Sequence, residues 1–403
     1  VDKARENDLE LWIYDEDKWP SGAAGGKVSR VNPAEFTARA LTMECGKAGE
    51  LAVPAKLSNE EERTVTGDSD SIMCGGNRST DENFMSGRNG SEDLAVEETM
   101  ETEFLQGVYV IQTAADGRFI KRMKEYLTYE EAAGACGVDE EILLLRQEIS
   151  GKSEWYNGLM PPDNLNPESV KTFLKLTHEH YEEVFGGSFP KEVKGFFTDE
   201  PNCCDFFSVF HEGRPWIPWS IGFTEYFIEK RGYDPQEKLP YLFFDGEGAE
   251  KIRHDYWKTV AQRFEESYMK QVYEWCDKRG LRTTGHILYE NDLGYQTRVC
   301  GAAMPQLRYL HNPGIDLLGA QTDEYLTVKQ CASVAHQYER SMTISEAYGC
   351  TGWELDFSTQ KWLGDWQFAL GITRRCQHLA LYSITGCRKR DYPPVFNYQN
   401  TWW

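Results

Sequence analysis

The sequence predicts an α/β fold, a (β/α)8 TIM-type barrel, from three observations. Strand patterns alternate with helix patterns along the 403 residues, which is typical of a parallel sheet. Nearly every predicted strand ends in an acid, a histidine or another polar residue, and a ring of polar groups at the carboxyl ends of the strands is typical of this barrel. The turn at residues 22–26 lacks the G-x-G-x-x-G spacing of a nucleotide-binding open sheet.

The predicted elements follow one another in the order that a barrel requires. The predicted strands lie at residues 9–14, 141–147, 193–197, 281–286, 315–318, 342–346 and 380–385. The predicted helices lie at residues 166–185, 220–231, 249–279, 327–340 and 364–378. The first of these helices begins with Asn166 as N-cap and Pro167 at the first helical position, where the missing N–H of proline breaks no hydrogen bond.

Residues 45–104 interrupt this alternation. The segment is rich in Glu, Ser, Asn, Asp and Gly, and it has few aromatic residues and little periodicity. This composition is typical of a loop that buries little apolar surface. We predict one glycosidase-type barrel domain over residues 1–403, with residues 45–104 inserted in it as an acidic loop or small β-rich subdomain.

Charge and apolar runs exclude two classes of partner. The chain carries 43 Lys and Arg against 65 Asp and Glu, a formal net charge of −22. This charge repels a phosphate backbone, so no nucleic acid partner is expected and a neutral or cationic substrate is favoured. The apolar runs are too short to cross a bilayer, and the first residues lack the regions of a signal peptide. No membrane partner is expected.

The cysteines indicate a compartment. They are 11 in number, an odd count, and none forms a C-x-x-C pair, so neither a disulfide framework nor a structural zinc site is predicted. This usage indicates a reducing environment, and we predict a cytoplasmic protein. A periplasmic or secreted location is the alternative if the N-terminus is truncated.

Two glutamates are the candidate catalytic pair. Glu200 lies in FFTDEPN, directly after a buried strand pattern that Pro201 ends, and Glu346 lies in ISEAYG at the end of another. Hydrolysis of a glycosidic bond needs one carboxylic acid to protonate the leaving oxygen and one carboxylate to activate water or attack the anomeric carbon. The alternatives are a capping or ion-paired carboxylate for Glu200 and a structural ion pair for Glu346.

Other residues near predicted strand ends are candidates for substrate binding. His286 either binds a sugar hydroxyl or is a hydrogen-bonded core residue. An indole face can stack on the apolar side of a sugar ring, although core packing is the commoner role of tryptophan. The predicted substrate-binding residues are Asp15, Trp19, Trp155, Asp199, His286, Glu290, Trp353 and Tyr392.

Several motifs occur in order along most of the chain outside the insertion. They are WIYDEDKWPSGAAGG, FFTDEPN, TTGHILYE, NPGIDLL, ISEAYGCTGW, GDWQFALGITRRCQHLALYS and GCRKRDYPPVFNYQNTWW. Together they resemble the barrel domain of family 106 glycoside hydrolases, the α-L-rhamnosidase family, and its close relatives. The resemblance implies a (β/α)8 barrel, a glycoside or oligosaccharide substrate and an inverting mechanism, with Glu200 as general acid and Glu346 as general base. It also implies a calcium ion (Ca2+) near the sugar, with Glu16 and Glu290 as ligands.

The chain departs from the family pattern at both ends. Family members carry one more strand and helix before the YDED strand, and helix and β-sandwich modules after the terminal tryptophans. We therefore expect a portion of a larger protein with further domains. A barrel that lacks its first strand is open unless another segment supplies that strand.

Two other functions fit the same residues. A retaining glycosidase of the β-galactosidase type also carries glutamates at the ends of two strands. A gap of about 5 Å between the carboxyl oxygens would favour that enzyme, and a gap of about 6.5 to 9.5 Å would favour inversion. A non-catalytic carbohydrate-binding module is the third hypothesis, and it predicts that Glu200 and Glu346 point away from a common cavity.

Overall fold

The computed structural model describes residues 1–51, 103–203, 214–379 and 392–396. Its strands are β1 (Leu11–Tyr14), β2 (Arg39–Gly46), β3 (Glu103–Thr113), β4 (Ile120–Tyr126), β5 (Glu141–Ile149), β6 (Val193–Asp199), β7 (Trp216–Trp219), β8 (Arg282–His286), β9 (Asn312–Leu317), β10 (Ile344–Ala347) and β11 (Arg374–Gln377). Its α-helices are α1 (Asp2–Glu6), α2 (Lys27–Val31), α3 (Pro33–Phe36), α4 (Tyr129–Ala135), α5 (Pro167–Leu174), α6 (His180–Phe185), α7 (Phe223–Arg231), α8 (Ala249–Phe264), α9 (Lys270–Asp277), α10 (Leu293–Cys300), α11 (Ala303–Leu307), α12 (Tyr325–Gln337) and α13 (Phe357–Leu370).

Within these ranges, six strands form a parallel sheet in the order β1-β6-β8-β9-β10-β11. Each strand pairs in parallel with its neighbours, and helices cover the sheet, with α9 against β8 and α12 against β9. The carboxyl ends of parallel strands lie along one edge of a sheet. Polar residues at the ends of β1, β6, β8 and β10 therefore meet there.

A second sheet is antiparallel, with the order β4-β3-β5-β2-β7. Its central strand β5 is buried on both faces. Leu143 and Leu145 belong to the main core, which also contains side chains of the parallel sheet, whereas Ile142 and Leu144 pack with Ala132 of α4 in a smaller core. Burial on both faces explains why β5 is an almost continuous apolar run.

The predicted (β/α)8 barrel is wrong. In the part of the chain that the structure describes, the parallel sheet has six strands, is open between β1 and β11, and closes into no barrel. The predicted strand at residues 141–147 is β5, which pairs antiparallel with β2 and β3. A strand buried on both faces has the same apolar pattern in either kind of sheet, so its pattern did not reveal the second sheet.

The predicted helix at residues 166–185 begins as expected and is then interrupted. The side chain of Asn166 accepts the N–H of Glu168 as N-cap, with Pro167 in the first turn. A π-helical turn at Lys175–Glu179 separates α5 from α6. A second π turn separates α8 from α9 in the same way, within the predicted helix at residues 249–279.

The predicted helix at residues 364–378 is wrong in its second half. Helix α13 ends at Leu370, and Gly371 follows it with a φ of 120°, a conformation that favours glycine and ends a helix. Residues 374–377 are strand β11, at the edge of the described parallel sheet. The predicted strand at residues 380–385 lies outside the described residues.

Most of the predicted insertion, residues 52–102, also lies outside the described residues. Its described flanks are β2, which ends at Gly46, and β3, which begins at Glu103. These two strands pair with opposite sides of β5.

No helix in the described ranges is both long and apolar enough to span a membrane. Cys276 and Cys331 are free thiols in the main core, where a thiol acts as a small apolar side chain.

Candidate active site

One serine fastens the loop after β1 to the exit of β6. The N–H of Ser21 donates to the carbonyl oxygen of Asp199 at 2.8 Å, and the N–H of Asp199 donates to the Ser21 Oγ at 2.7 Å. The Ser21 hydroxyl donates in turn to Oδ1 of the buried Asp15 at 2.6 Å. These bonds hold the loop beside the strand exit that carries the acidic side chains.

Glu16 organises the same loop from within. Its carboxylate accepts five backbone N–H groups at 2.6–3.2 Å, from Asp17, Gly22, Ala23, Ala24 and Gly25. A carboxylate offers about four lone-pair sites, so these donors fill its accepting capacity. Glu16 is thus a structural anchor that determines the shape of the loop.

Strand β6 ends in the two adjacent carboxylates that the sequence singled out. In the parallel register, Asp199 lies directly opposite His286 of β8. Glu200 has a φ of 47°, in the left-handed region that residues other than glycine rarely adopt. The turn at Glu200 leaves both carboxylates against the imidazole of His286.

The imidazole of His286 is the centre of the cluster. Its Nε2 lies 3.0 Å from Oε2 of Glu346 and 3.4 Å from Oδ1 of Asp199. Its Nδ1 faces Oε1 of Glu200 at 3.5 Å, a charge contact longer than a usual hydrogen bond. The residue is only 2% exposed. Carboxylates from β6, β10 and the turn after β6 therefore share one buried ring.

Further titratable groups surround this ring. Asp316 of β9 lies beside Glu346 in the strand register, and the Nε2 of His378 lies 3.8 Å from Oε1 of Glu346. Glu290, in the loop after β8, accepts the N–H of Asp316 at 3.4 Å and that of Ile287 at 3.3 Å. Strands β6, β9 and β10, the turn after β6 and the loop after β8 thus supply the acidic environment of His286.

His286 and Glu346, at the centre of the cluster, form an ion pair. Burial by itself lowers the pKa of His286, but the contacts with Glu200 and Glu346 and the charge of Asp199 outweigh it and hold that pKa well above its ordinary value. Burial by itself raises the pKa of Glu346, but the hydrogen bond and charge of His286 outweigh it and hold that pKa below its ordinary value. At neutral pH, Glu346 is a carboxylate beside an imidazolium.

The pKa values of the neighbouring acids are raised, in contrast to that of Glu346. Burial, together with the like charges of Glu346 and Glu200, raises the pKa of Asp199 to about 8 against the cation of His286. Burial likewise raises the pKa of Glu290 to about 8 and holds the pKa of Asp316 well above its ordinary range. The cluster therefore combines an ionised carboxylate with neutral carboxylic acids. Acid–base catalysis uses such a difference between the pKa values of neighbouring carboxyl groups.

Aromatic side chains of β1 and the following loop hold the two carboxylates of β6. The indole N–H of Trp19 donates to Oε2 of Glu200 at 2.5 Å, and the hydroxyl of Tyr14 donates to Oδ2 of Asp199 at 2.6 Å. The indole N–H of Trp155 donates to the carbonyl oxygen of Trp19 at 2.5 Å, and the two indoles meet edge to face at 5.7 Å.

The structure separates the predicted site residues into three groups. Those that meet in the cluster are Trp19, Asp199, Glu200, His286 and Glu346. Asp15, Trp155 and Glu290 lie one contact further out, behind Ser21, Trp19 and Asp316. Trp353 and Tyr392 are 57% and 70% exposed, and neither is among the residues whose contacts define the cluster.

Four residues of the cluster or its support were not predicted as site residues, namely Tyr14, Ser21, Asp316 and His378. Tyr14 ends β1, and Asp316 lies beside Glu346 in the sheet, so position near a strand end is the signal that would have identified them. Ser21 and His378 reach the site through the folding of loops, which a strand pattern does not show.

Within the described ranges, one group of side chains has the spacing of metal ligands. Single ligand atoms of Asp199, His286 and Glu346 lie within 4.8 Å of one another. An imidazole with two carboxylates suits a transition metal ion better than calcium, which takes oxygen ligands. In the structure, His286 and Glu346 are hydrogen-bonded directly to each other at 3.0 Å, so the arrangement is that of an ion pair.

The residues predicted to hold calcium do not fit that role. The carboxylate of Glu16 is filled by five backbone N–H groups. Glu290 is buried, and each of its two carboxyl oxygens already accepts a backbone N–H group, from Ile287 and Asp316. We therefore assign no catalytic step to calcium.

No family model matches this sequence, and no curated protein matches it. Among solved structures, a rhamnosidase from Novosphingobium sp. PP1Y is similar, with a TM-score of 0.49 and 20% sequence identity. The similarity covers 62% of this chain and 24% of that one. The chain thus corresponds to about a quarter of that protein's length, and we draw no functional argument from a similarity at this level.

Proposed function

We propose that this protein is a glycoside hydrolase whose catalytic pair is Glu200 and Glu346. The observation that carries the proposal is their convergence on one buried imidazole, His286, at 3.5 and 3.0 Å, although 146 residues separate them in the chain. Two carboxyl groups at one site are what hydrolysis of a glycosidic bond requires. A non-catalytic binding module has no need of this convergence.

Glu346 acts as the general base. Its hydrogen bond with the imidazolium of His286 holds its pKa below the ordinary value even though it is buried. It is therefore an ionised carboxylate that can take a proton from water as the water oxygen attacks the anomeric carbon. Glu200 acts as the general acid and gives its proton to the glycosidic oxygen as the bond to the leaving group breaks.

Inversion is the stereochemical course that we propose. Glu200 and Glu346 contact different nitrogen atoms of the same imidazole, Nδ1 and Nε2 respectively. An inverting enzyme needs room for water beside the sugar, whereas a retaining enzyme holds its two carboxyl groups about 5 Å apart. The choice of inversion over the β-galactosidase-type alternative comes from the motifs that resemble the α-L-rhamnosidase family.

The substrate class is a neutral terminal sugar, and an α-L-rhamnoside is the specific proposal. Buried carboxyl groups surround His286, and the chain carries a net charge of −22, which disfavours an acidic sugar. The choice of rhamnose comes from the motifs around Glu200, His286 and Glu346 that resemble the α-L-rhamnosidase family.

A panel of nitrophenyl glycosides, including the α-L-rhamnoside and the β-galactoside, tests the proposal. We expect hydrolysis of the α-L-rhamnoside, with the inverted anomer as the first product seen by NMR. Hydrolysis of another neutral glycoside with inversion would change only the choice of sugar. A folded protein that hydrolyses no member of the panel, or one that gives the retained anomer, would overturn the proposed activity or the proposed mechanism, respectively.

A further inference from the structure

We propose that Trp19 is a positioning residue that orients the acid Glu200 through its indole N–H. This inference rests on the proposed function, because it assigns a second residue to the proton-donating step. The sequence suggested a different role for Trp19, in which its flat face stacks against a sugar. The two roles predict different kinetic losses, and a substitution that keeps an aromatic ring can separate them.

The contact between Trp19 and Glu200 is short and shielded. The indole Nε1 lies 2.5 Å from Oε2 of Glu200, and Glu200 is buried. The loop that carries Trp19 is held by residues before and after it. The carboxylate of Glu16, before Trp19, accepts the N–H groups of residues 22–25, and Ser21, after Trp19, is hydrogen-bonded to Asp199. The donor is therefore presented to Glu200 by a fixed loop.

A neutral donor suits an acid that must change its protonation state. An indole N–H can only donate, so one lone pair of Oε2 accepts from Trp19 whether Glu200 is protonated or ionised. The indole carries no positive charge, so the cation that acts on Glu200 from this cluster is the imidazolium of His286, at the other carboxyl oxygen, Oε1. The hydrogen bond strengthens as negative charge develops on Glu200 during proton transfer, because bonds to charged acceptors are stronger.

Trp155 supports this arrangement from behind. Its indole N–H donates to the carbonyl oxygen of Trp19 at 2.5 Å, and the two rings meet edge to face, with an angle of 87° between their planes. Trp155 is itself 44% exposed. It thus restrains the backbone of Trp19, and its substitution is expected to have the same effect as that of Trp19 but a smaller one.

The kinetic test is Trp19→Phe, which removes the N–H and keeps a ring. We expect kcat on a glycoside with a poor leaving group to fall about 10- to 100-fold, the loss expected for one hydrogen bond to a buried charged group. A glycoside with an activated leaving group needs little protonation and is expected to lose less than about threefold, with KM nearly unchanged. Trp362→Phe, in an exposed part of α13, is the matched control.

A stacking role gives the opposite result. If the face of Trp19 binds the sugar, Trp19→Phe changes KM more than kcat and affects both substrates equally, and this outcome overturns the proposal. In that case Trp155→Phe is not expected to show the smaller loss of kcat on the substrate with the poor leaving group that the positioning role predicts.

A measurement that needs no turnover distinguishes failure of this inference from failure of the proposed function. In an NMR spectrum with labelled indole nitrogen, the resonance that disappears in Trp19→Phe is expected to move in Glu200→Gln, whereas the Trp362 resonance stays in place. An unmoved Trp19 resonance overturns the inference even if the enzyme is active. A moved resonance in a protein that hydrolyses no glycoside overturns the proposed function and, with it, the role of Trp19 in proton donation.

Discussion

The Nε2 of His286 lies 3.0 Å from Oε2 of Glu346, and this contact joins the end of β8 to the end of β10. Asp199, Glu200 and Glu346 contact the imidazole, and the charge of the imidazole also acts on Glu290 and Asp316. One cation thus lies among several acids. It determines which of them is ionised, and its removal is expected to change the pH dependence of the reaction.

We expect His286→Gln to shift the acidic limb of the pH profile of kcat/KM to higher pH. The imidazolium holds the pKa of Glu346 below its ordinary value. Without it, burial raises that pKa, and a base must be ionised to act. The variant therefore loses more activity at acidic pH than at about pH 8. His311→Gln, which replaces a histidine hydrogen-bonded to Thr283 at the start of β8, is the control. A uniform loss at all pH values would indicate a purely structural role for His286.

Glu200→Gln is expected to lower kcat about 100- to 10,000-fold on glycosides with poor leaving groups. The amide keeps the shape of the side chain but donates no acidic proton, so binding of the sugar changes little. Activated leaving groups are expected to lose much less. The exposed Glu250, in the first turn of α8, supplies the control Glu250→Gln. Equal losses on both kinds of substrate would show that Glu200 is not the acid.

Glu346→Ala is expected to lose about 100- to 10,000-fold in kcat on every substrate, because no leaving group can replace the base. Added azide then enters the space left by the side chain and attacks the anomeric carbon. The expected product is a glycosyl azide with the anomeric configuration inverted relative to the substrate. A glycosyl azide of retained configuration would instead identify Glu346 as the acid/base residue of a retaining enzyme, because such an azide requires attack on a glycosyl-enzyme intermediate. Loss of a nucleophile also gives the inverted azide, so the anomer first released by the unsubstituted enzyme separates a base from a nucleophile, and a retained anomer there would favour the β-galactosidase-type mechanism.

Stability is expected to fall as pH rises from about 5 to about 8. Burial raises the pKa of Asp163 to about 6 and the pKa values of Asp199 and Glu290 to about 8. In the unfolded chain these acids ionise near pH 4. Between these values the folded state binds more protons, so the free energy of unfolding decreases with pH, by up to about 1.4 kcal/mol per pH unit for each such group. His286, whose pKa is also raised, acts in the same direction.

Urea unfolding at about pH 5 and pH 8 measures this difference, and Asp199→Asn removes one of the contributing groups and should reduce the slope. Glu346 has a lowered pKa, so its stabilising contribution is lost only on the acidic side of this window. Equal or rising stability from pH 5 to pH 8 would contradict the protonation states that we assign to the cluster.

Removal of metal ions is expected to leave both kcat and KM unchanged. The carboxylate of Glu16 is filled by backbone N–H groups, and both carboxyl oxygens of Glu290 accept backbone N–H groups. Chelation followed by metal analysis and kinetics tests this expectation. If metal-free protein shows a higher KM that calcium restores, the calcium site implied by the family resemblance exists and draws on other ligands.

The arrangement of strand ends was predictable where each strand carries its own local signal. FFTDEPN and ISEAYG each place a glutamate next to a short buried strand, and β6 and β10 formed at those positions. Parallel pairing then leads to the same edge whether or not the sheet closes. The candidate pair therefore meets even though the predicted barrel was wrong.

The antiparallel sheet was not predictable from such local signals. The run from Ile142 to Leu145 is apolar because cores lie on both faces of β5, and a parallel strand under helices would have the same composition. The partner strands β2 and β3 lie on either side of residues 52–102, so the pairing depends on contacts between distant segments. Likewise, the role of Glu16 depends on a loop that curls around its carboxylate.

The left-handed backbone of Glu200, with its φ of 47°, has an evolutionary consequence. Such a conformation costs a residue other than glycine about 1–3 kcal/mol, and glycine adopts it without that strain. Selection for stability alone would replace this glutamate with glycine or asparagine. A descendant chain released from the need to donate a proton is therefore expected to lose the glutamate at position 200 early. The residue found at that one position would then distinguish active from inactive lineages of this fold.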